Sequence, residues 1–337
     1  MIKQAIAKVI ERKNLTREEA SLTADTIMKG EATPSQVGAF LVALRMKGET
    51  IDEITGFAEQ MRAHSVKIHP RAENLVDTCG TGGDISHTFN ISTVSALVAA
   101  GAGVHIAKHG NRSVSSKCGS ADLLEALGVR VDLPPAKVTE CIDTIGFGFM
   151  FAPLFHPAMR FAAPTRREMG VRTIFNILGP LTNPAGAKFQ ILGVFSEKLV
   201  DLMIEVLRNL GAKHALVVHS RDGLDEISIS DKTKVAELKE GRIRKYEIKP
   251  EDFGLKRASR DHIQVSNVEE SKVSAIQILE LREKNPKMDI VLLNAAAAIY
   301  VAGLAEDVRS GIKLAEESIN SGAAFSKLEA LRHVHPD

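Results

Sequence analysis

The sequence has little that would tie it to a compartment or a macromolecular partner. Its three cysteines, Cys79, Cys118 and Cys141, include no Cys-x-x-Cys pair, so neither a disulfide framework nor a zinc site is indicated. There is no charge excess: 43 basic against 42 acidic residues leave a net charge of +1. That balance gives no electrostatic reason to expect nucleic acid or an anionic membrane as the main partner. Any anion site must therefore be local. Long apolar runs are missing as well, since the most apolar segment, VLLNAAAAIYVAGLA from Val291, is too short to span a bilayer. The N-terminal MIKQAIAKVIERKN carries charge throughout and lacks the apolar centre of a secretory signal, so a soluble, cytoplasmic protein is expected. No fixed-period repeat or low-complexity tract stands out.

The 337 residues suffice for one large domain plus a smaller one. Residues 1–68 read as all-helical: Ile2, Ile6, Val9 and Ile10 fall at helical spacing, and capping-box patterns follow at Thr16/Glu19, Thr33/Gln36 and Thr50/Glu53. About four short helices, serving as a packing module or dimer face, are expected there. From Asn74 the texture changes. LVDTC, VHIAK, FQILGVF and HALVVHS read as strands. STVSALVAAGAG, SADLLEALGV and the stretch through about Leu210 read as helices, and the ISIS to EIKP region and an apolar run from Met288 follow. Such alternation predicts an α/β fold with a mostly parallel sheet, whose ligands bind beyond the carboxyl ends of the strands.

Polar clusters fall at those ends. DTCGTGGD, Asp77 to Asp84, puts three glycines and two carboxylates after a strand. It lacks the third glycine of a dinucleotide fingerprint, because position 85 is Ile, and it lacks the Gly-Lys-Ser/Thr of a Walker loop. Converging N–H groups followed by the helix start in FNIST still suit an anion. The next strand leads into KHGNRSVSSKCGS, with Lys108, Arg112, Lys117, Asn111 and several serines. Two anion-friendly loops at consecutive strand ends suit a substrate with two phosphate groups. RDGLDEIS then places Asp225 beside Glu226, and magnesium binds through one or two carboxylates while sharing substrate phosphate oxygens. Finally, Phe151 to Pro184 mixes His156, arginines, prolines and apolar side chains, a composition for a partly apolar pocket with a cation for an organic carboxylate.

In order along the chain, GTGGD, TFNIST, KHGNR, GSADLLEALG, HPAMR, RTIFNILGPLTNP and GLDEIS resemble the anthranilate phosphoribosyltransferases of tryptophan biosynthesis, over essentially the whole length. The resemblance implies a small N-terminal helical domain (1–68, joined by helices from about 160–185) hinged to a larger α/β phosphoribosyl-binding domain (69–337). It also implies a homodimer joined through the helical domain. By motif, Gly80, Gly83, Asp84 and Thr88 would line the diphosphate and ribose of phosphoribosyl diphosphate, and Asn90, Ile91, Ser92 and Thr93 would continue that site. Lys108, His109, Gly110, Asn111, Arg112, Ser113, Val114, Ser115 and Ser116 would wrap the donor, and Ser120 would complete it. Asn111 and Arg166 match anthranilate contacts, with Gly80 at the boundary of the two substrates. Ser92, Asp225 and Glu226 match the ligands of two magnesium ions per subunit, Glu226 serving both. His109 and His156 fall near the aromatic acceptor, and no general base is assigned.

The implied reaction moves a phosphoribosyl group to the anthranilate amine and releases diphosphate. An aromatic amine is largely unprotonated at neutral pH, so orientation matters more than deprotonation. Most assistance should come from magnesium and backbone dipoles around the leaving group. Three positions depart from the commonest pattern: Ile85 for Gly, Cys118 for Ser, and Thr165 within PTRRE, which keeps Arg166. Altered loop flexibility with retained activity is expected. Two rival readings are a pyrimidine nucleoside phosphorylase-like enzyme and a non-catalytic nucleic-acid-binding relative. KHGNR with the carboxylate pair argues for a diphosphate donor with magnesium, and the near-neutral charge argues against nucleic acid.

Overall fold

The structure is a computed structural model and describes residues 1–83, 87–113, 118–281 and 284–335. Asp84, Ile85, Val114, Ser115, Ser116 and Lys117, all named above, lie outside the described residues. The chain opens with α1 (Ile2–Ile10), α2 (Arg17–Met28), α3 (Pro34–Lys47) and α4 (Ile51–Ala63). The three capping boxes form as expected, each threonine hydroxyl accepting the N–H three residues on while Glu19, Gln36 or Glu53 reaches back. Phe40 and Phe57 stack with centroids 5.7 Å apart in the centre of these helices. Gly56 lets α4 approach α2 closely, since a Cβ there would stand 2.4 Å from the Arg17 carbonyl oxygen.

Seven strands follow: β1 (Leu75–Gly80), β2 (His105–Gly110), β3 (Phe147–Phe151), β4 (Phe189–Gly193), β5 (His214–Ser220), β6 (Thr233–Lys239) and β7 (Arg242–Ile248). Their order is β3-β2-β1-β4-β5-β6-β7, parallel from β3 through β5. The last two strands add antiparallel at one edge. Alternate residues divide between two cores, as strand geometry requires. Ile191, Leu216, Val218 and Val235 face one side, and Leu192, Val194, Val217 and Ala236 the other.

Between the strands run α5 (Ile91–Gly101), α6 (Ser120–Ala126), α7 (Pro135–Thr144), α8 (Ala152–Phe155), α9 (Ala163–Met169), α10 (Phe175–Leu178) and α11 (Glu197–Asn209). After them come α12 (Val268–Leu279), α13 (Pro286–Val301), α14 (Val308–Asn320) and α15 (Ala323–Arg332). The apolar run from Met288 is thus the helix α13, buried nearly all round and capped by Asn285. Ile227 to Ser230 lies outside the strands. Its serines bend the chain around Asp222, with Ser228 Oγ donating to Asp222 Oδ2 at 2.7 Å and the Ser230 N–H donating to Ser228 Oγ at 2.9 Å. Ala162, Ile174, Phe175, Ile177, Leu178 and Leu181 share a core with α1 to α4. Among the described residues no helix is long and apolar enough to cross a membrane.

Candidate active site at the strand carboxyl ends

The chain leaves β1 for β2 on one side and later returns to β4 on the other, which makes the β1/β4 boundary the switch point of the sheet. There Gly80 lies in register with Gly193. The loop after β5 folds over both. Asp225 Oδ2 accepts the Gly82 N–H at 3.0 Å, and a Cβ on Gly80 would stand 2.5 Å from that oxygen. A Cβ on Gly193 would come within 1.6 Å of the Asp225 carbonyl oxygen. The next residue, Ile227, is held at both main-chain groups by Asn294 of α13, at 3.0 and 2.9 Å. The acidic pair is therefore seated by glycines below it and an asparagine behind it. Gly82 and Gly83 take the left-handed conformation, φ +64° and +78°. Arg172 donates to the Gly83 carbonyl at 2.6 Å while its guanidinium lies over the Phe195 ring.

Thr88 forms an isolated bridge with Gln264. Asn90 caps α5, its Oδ1 accepting the Thr93 N–H at 3.1 Å, and its Nδ2 donates to the Cys118 carbonyl at 3.3 Å. Ile91 and Thr93 point into the core, so their side chains are packing groups. Ser92 is only partly buried, and its hydroxyl accepts from Lys108 Nζ at 3.2 Å. Lys108 is 1% exposed and also donates to the Thr78 carbonyl. Burial lowers the Lys108 pKa, opposed by the charges of Asp77 and Glu226. Glu226 thus lies within electrostatic reach of the ammonium that touches Ser92.

On the opposite face of β2, the His109 and His156 rings meet with centres 4.9 Å apart and planes tilted by 51°. His109 Nδ1 meets the Gly179 carbonyl at 3.1 Å. A carbonyl can only accept, so Nδ1 carries the proton and Nε2 a lone pair. Neither Nε2 has a partner among the described residues. Burial and the neighbouring His156 pull the His109 pKa down to about 3, and burial takes His156 to about 4. Both rings are neutral at neutral pH.

Gly110 leaves room for Phe149 and Ser120, since a Cβ would stand 2.7 Å from the Phe149 ring. Asn111 Oδ1 accepts the Arg112 N–H at 2.8 Å. Asp122 accepts the N–H groups of Ser113 and Gly119, both at 2.9 Å, fastening the two ends of that loop. Arg112 is turned toward Glu125 and Asp122. Gly119 is the N-cap of α6 and Ser120 its first residue. Arg166 lies in α9 with its guanidinium 5.1 Å from the Phe175 ring centre, and burial lowers its pKa. Among the described residues no hydrogen bond or ion pair joins it to Asn111 or Gly80.

The oxygen donors suit a hard divalent cation: two carboxylates, a hydroxyl, and a glycine cradle beside Asp225 that a Cβ would fill. Among the described residues no group of three or more His, Cys, Asp or Glu could hold a metal ion. A cation here would have to draw ligands from hydroxyl or substrate oxygens as well.

Residues 72–325 match the model of the glycosyl transferase family a/b domain, and 3–65 that of its helical bundle domain. Over 329 residues, covering 98% of this chain and 95% of the relative, the sequence is 54% identical to an anthranilate phosphoribosyltransferase of Acetivibrio thermocellus. The chain belongs to the anthranilate phosphoribosyltransferase family. The fold agrees with that family. A crystal structure of the Thermus thermophilus member superimposes with TM-score 0.92 at 45% identity, covering 97% of this chain and 98% of that one. The Saccharomyces cerevisiae member, solved in complex with PRPP and Mg, gives 0.90 at 27% identity, with 98% and 96% covered.

The sequence gives no individual role to Asp77, Arg172, Asn183, Gly193 or Asn294 at this site. Asp77 left a signal, a charge inside the apolar run LVDTC. Arg172 and Asn183 lie within the motif RTIFNILGPLTNP, whereas Gly193 and Asn294 left no signal, because their roles depend on contacts between distant segments.

Proposed function

We propose that this protein transfers the 5-phosphoribosyl group of 5-phosphoribosyl 1-diphosphate to the amine of anthranilate. The products are N-(5-phospho-β-D-ribosyl)anthranilate and diphosphate, the second step from chorismate to tryptophan. One observation carries the reading: the glycine-lined turn after β1 meets Asp225 at the switch point, beside Lys108 and Ser92. Backbone N–H groups and a buried ammonium suit a diphosphate, and the nearby carboxylates and hydroxyl suit its cation.

In this reading Gly80, Gly83, Thr88 and the Asn90–Thr93 turn line the donor, with Ile91 and Thr93 contributing backbone. Lys108 to Ser113 continue that lining. Ser120 completes it. Ser92, Asp225 and Glu226 hold two magnesium ions. When bound, magnesium supplies positive charge that stabilises the departing diphosphate. Asn111 and Arg166 hold anthranilate with Gly80 at the boundary, Arg166 offering a desolvated guanidinium to a carboxylate. His109 and His156 present neutral rings to the acceptor, and His109 Nε2 can accept a hydrogen bond from the attacking amine.

We further propose that the chain divides at 68/69, with helices from about 160–185 joining the helical unit. It acts in the cytoplasm as a homodimer through that unit. The deciding experiment follows anthranilate fluorescence with phosphoribosyl diphosphate and magnesium omitted in turn. Loss of signal should require all components, and no donor-dependent loss would overturn the reading.

A further inference from the structure

The β1–β2 pairing stops early. Its register runs only through Leu75↔His105 and Val76↔Ile106, whereas β1–β4 continues to Gly80↔Gly193 and β2–β3 to Gly110↔Phe151. In a continued parallel ladder Thr78 would lie opposite Lys108, and its main-chain groups would pair with the Ala107 carbonyl and the His109 N–H. The Ala107 carbonyl, the His109 N–H and the Thr78 carbonyl are taken by side chains instead. The His109 N–H donates to Asp77 Oδ1 at 3.2 Å. The Ala107 carbonyl accepts from Asn183 Nδ2 at 2.8 Å, and the same amide donates to Asp77 Oδ2 at 2.8 Å. The Thr78 carbonyl accepts from Lys108 Nζ.

From this substitution of side chains for ladder bonds we infer that Asp77 and Asn183 are positioning residues, a wedge that holds β1 and β2 apart and aims Lys108 at the donor site. Asp77 is fully buried, and an unpaired carboxylate would be costly there. It is tolerated because an amide, a main-chain N–H and the Lys108 charge face it. Asn183 is itself fixed, its Oδ1 accepting the Ala185 N–H at 2.9 Å. The wedge thereby ties the LTNP segment to the strand that carries Lys108. The His109 ring has its own anchor at Gly179, so loss of the wedge should fall on the donor side.

The inference rests on the proposed activity, and the test separates the two. Asp77→Asn turns an amide donor toward the Asn183 donor, and Asn183→Ala removes the bridge. The Michaelis constant for phosphoribosyl diphosphate should rise about tenfold in Asp77→Asn and about threefold in Asn183→Ala, with that for anthranilate unchanged. Amide exchange in the 105–110 segment should accelerate in both. Michaelis constants that rise together, or that both stay put, overturn the wedge. Should Asp77→Asn not fold, Asn183→Ala decides alone. Wild-type protein without donor-dependent turnover would overturn the activity. Exchange in Asn183→Ala would then judge the wedge, with unchanged protection sinking it and lost protection supporting it.

Discussion

Asp225 rests on Gly193 so closely that its carbonyl oxygen occupies the space of a side chain, and its carboxylate accepts the Gly82 N–H at 3.0 Å. The glycine at the end of β4 therefore sets the height of the acidic pair above the sheet. Gly193→Ala should displace that loop and reduce turnover at least about a hundredfold, because misplacement by about 1 Å is enough for such a loss. Steady-state rates with circular dichroism as a fold control check this; wild-type turnover in folded Gly193→Ala would refute it.

Asp225→Asn with Glu226→Gln should lower turnover far more than stability. The pair sits in a loop whose backbone is held independently by Asn294. A magnesium titration of the double variant should show a lost or strongly weakened dependence, and an unchanged profile would remove the metal assignment.

Arg166 has its guanidinium over Phe175 and largely out of water, so its charge is poorly solvated before a ligand arrives. Arg166→Ala should raise the anthranilate Michaelis constant by about tenfold or more and leave that of the donor nearly unchanged. A defect confined to the donor would show the clamp to be misassigned.

Stability should fall as pH drops below about 6.5, because the unfolded chain protonates its histidines while His109 and His156 stay neutral until about 3 and 4. Each contributes at most about 1.4 kcal/mol per pH unit in that window. Asp77 acts with the opposite sign: burial raises its pKa to about 6, so between about 6 and its ordinary 3.8 the native state binds the extra proton. Two histidines against one carboxyl leave a net slope that grows below about pH 6.5 and levels off near that of one unopposed group, about 1.4 kcal/mol per pH unit, by about pH 5.5. Urea midpoints across pH measure it, and His109→Asn with His156→Asn should flatten the decline.

Glu53 is fully buried, accepting the Leu15 N–H at 2.9 Å and pairing with Lys47 at 2.9 Å while closing the Thr50 capping box. Glu53→Ala leaves Lys47 without its buried partner and should destabilise the protein by about 3–5 kcal/mol. Denaturant unfolding measures this, and a change near zero would mean that water replaces the carboxylate.

The helical caps, the strand-helix alternation and the polar loops at strand ends are legible from local spacing. These depend on residues within a few positions of one another: Thr16, Thr33 and Thr50 bond three residues ahead, and Asn90 caps its own helix. The sequence also spells out enough ordered motif to mark the family. Folding in three dimensions is what puts Gly193 under Asp225, Asn294 against Ile227 and His109 against His156. The same packing makes the apolar run at Met288 a buried helix and lets side chains replace the ladder between β1 and β2. Each of these joins segments far apart in the chain. Which groups meet there follows from strand order and close packing, and no local spacing encodes either one.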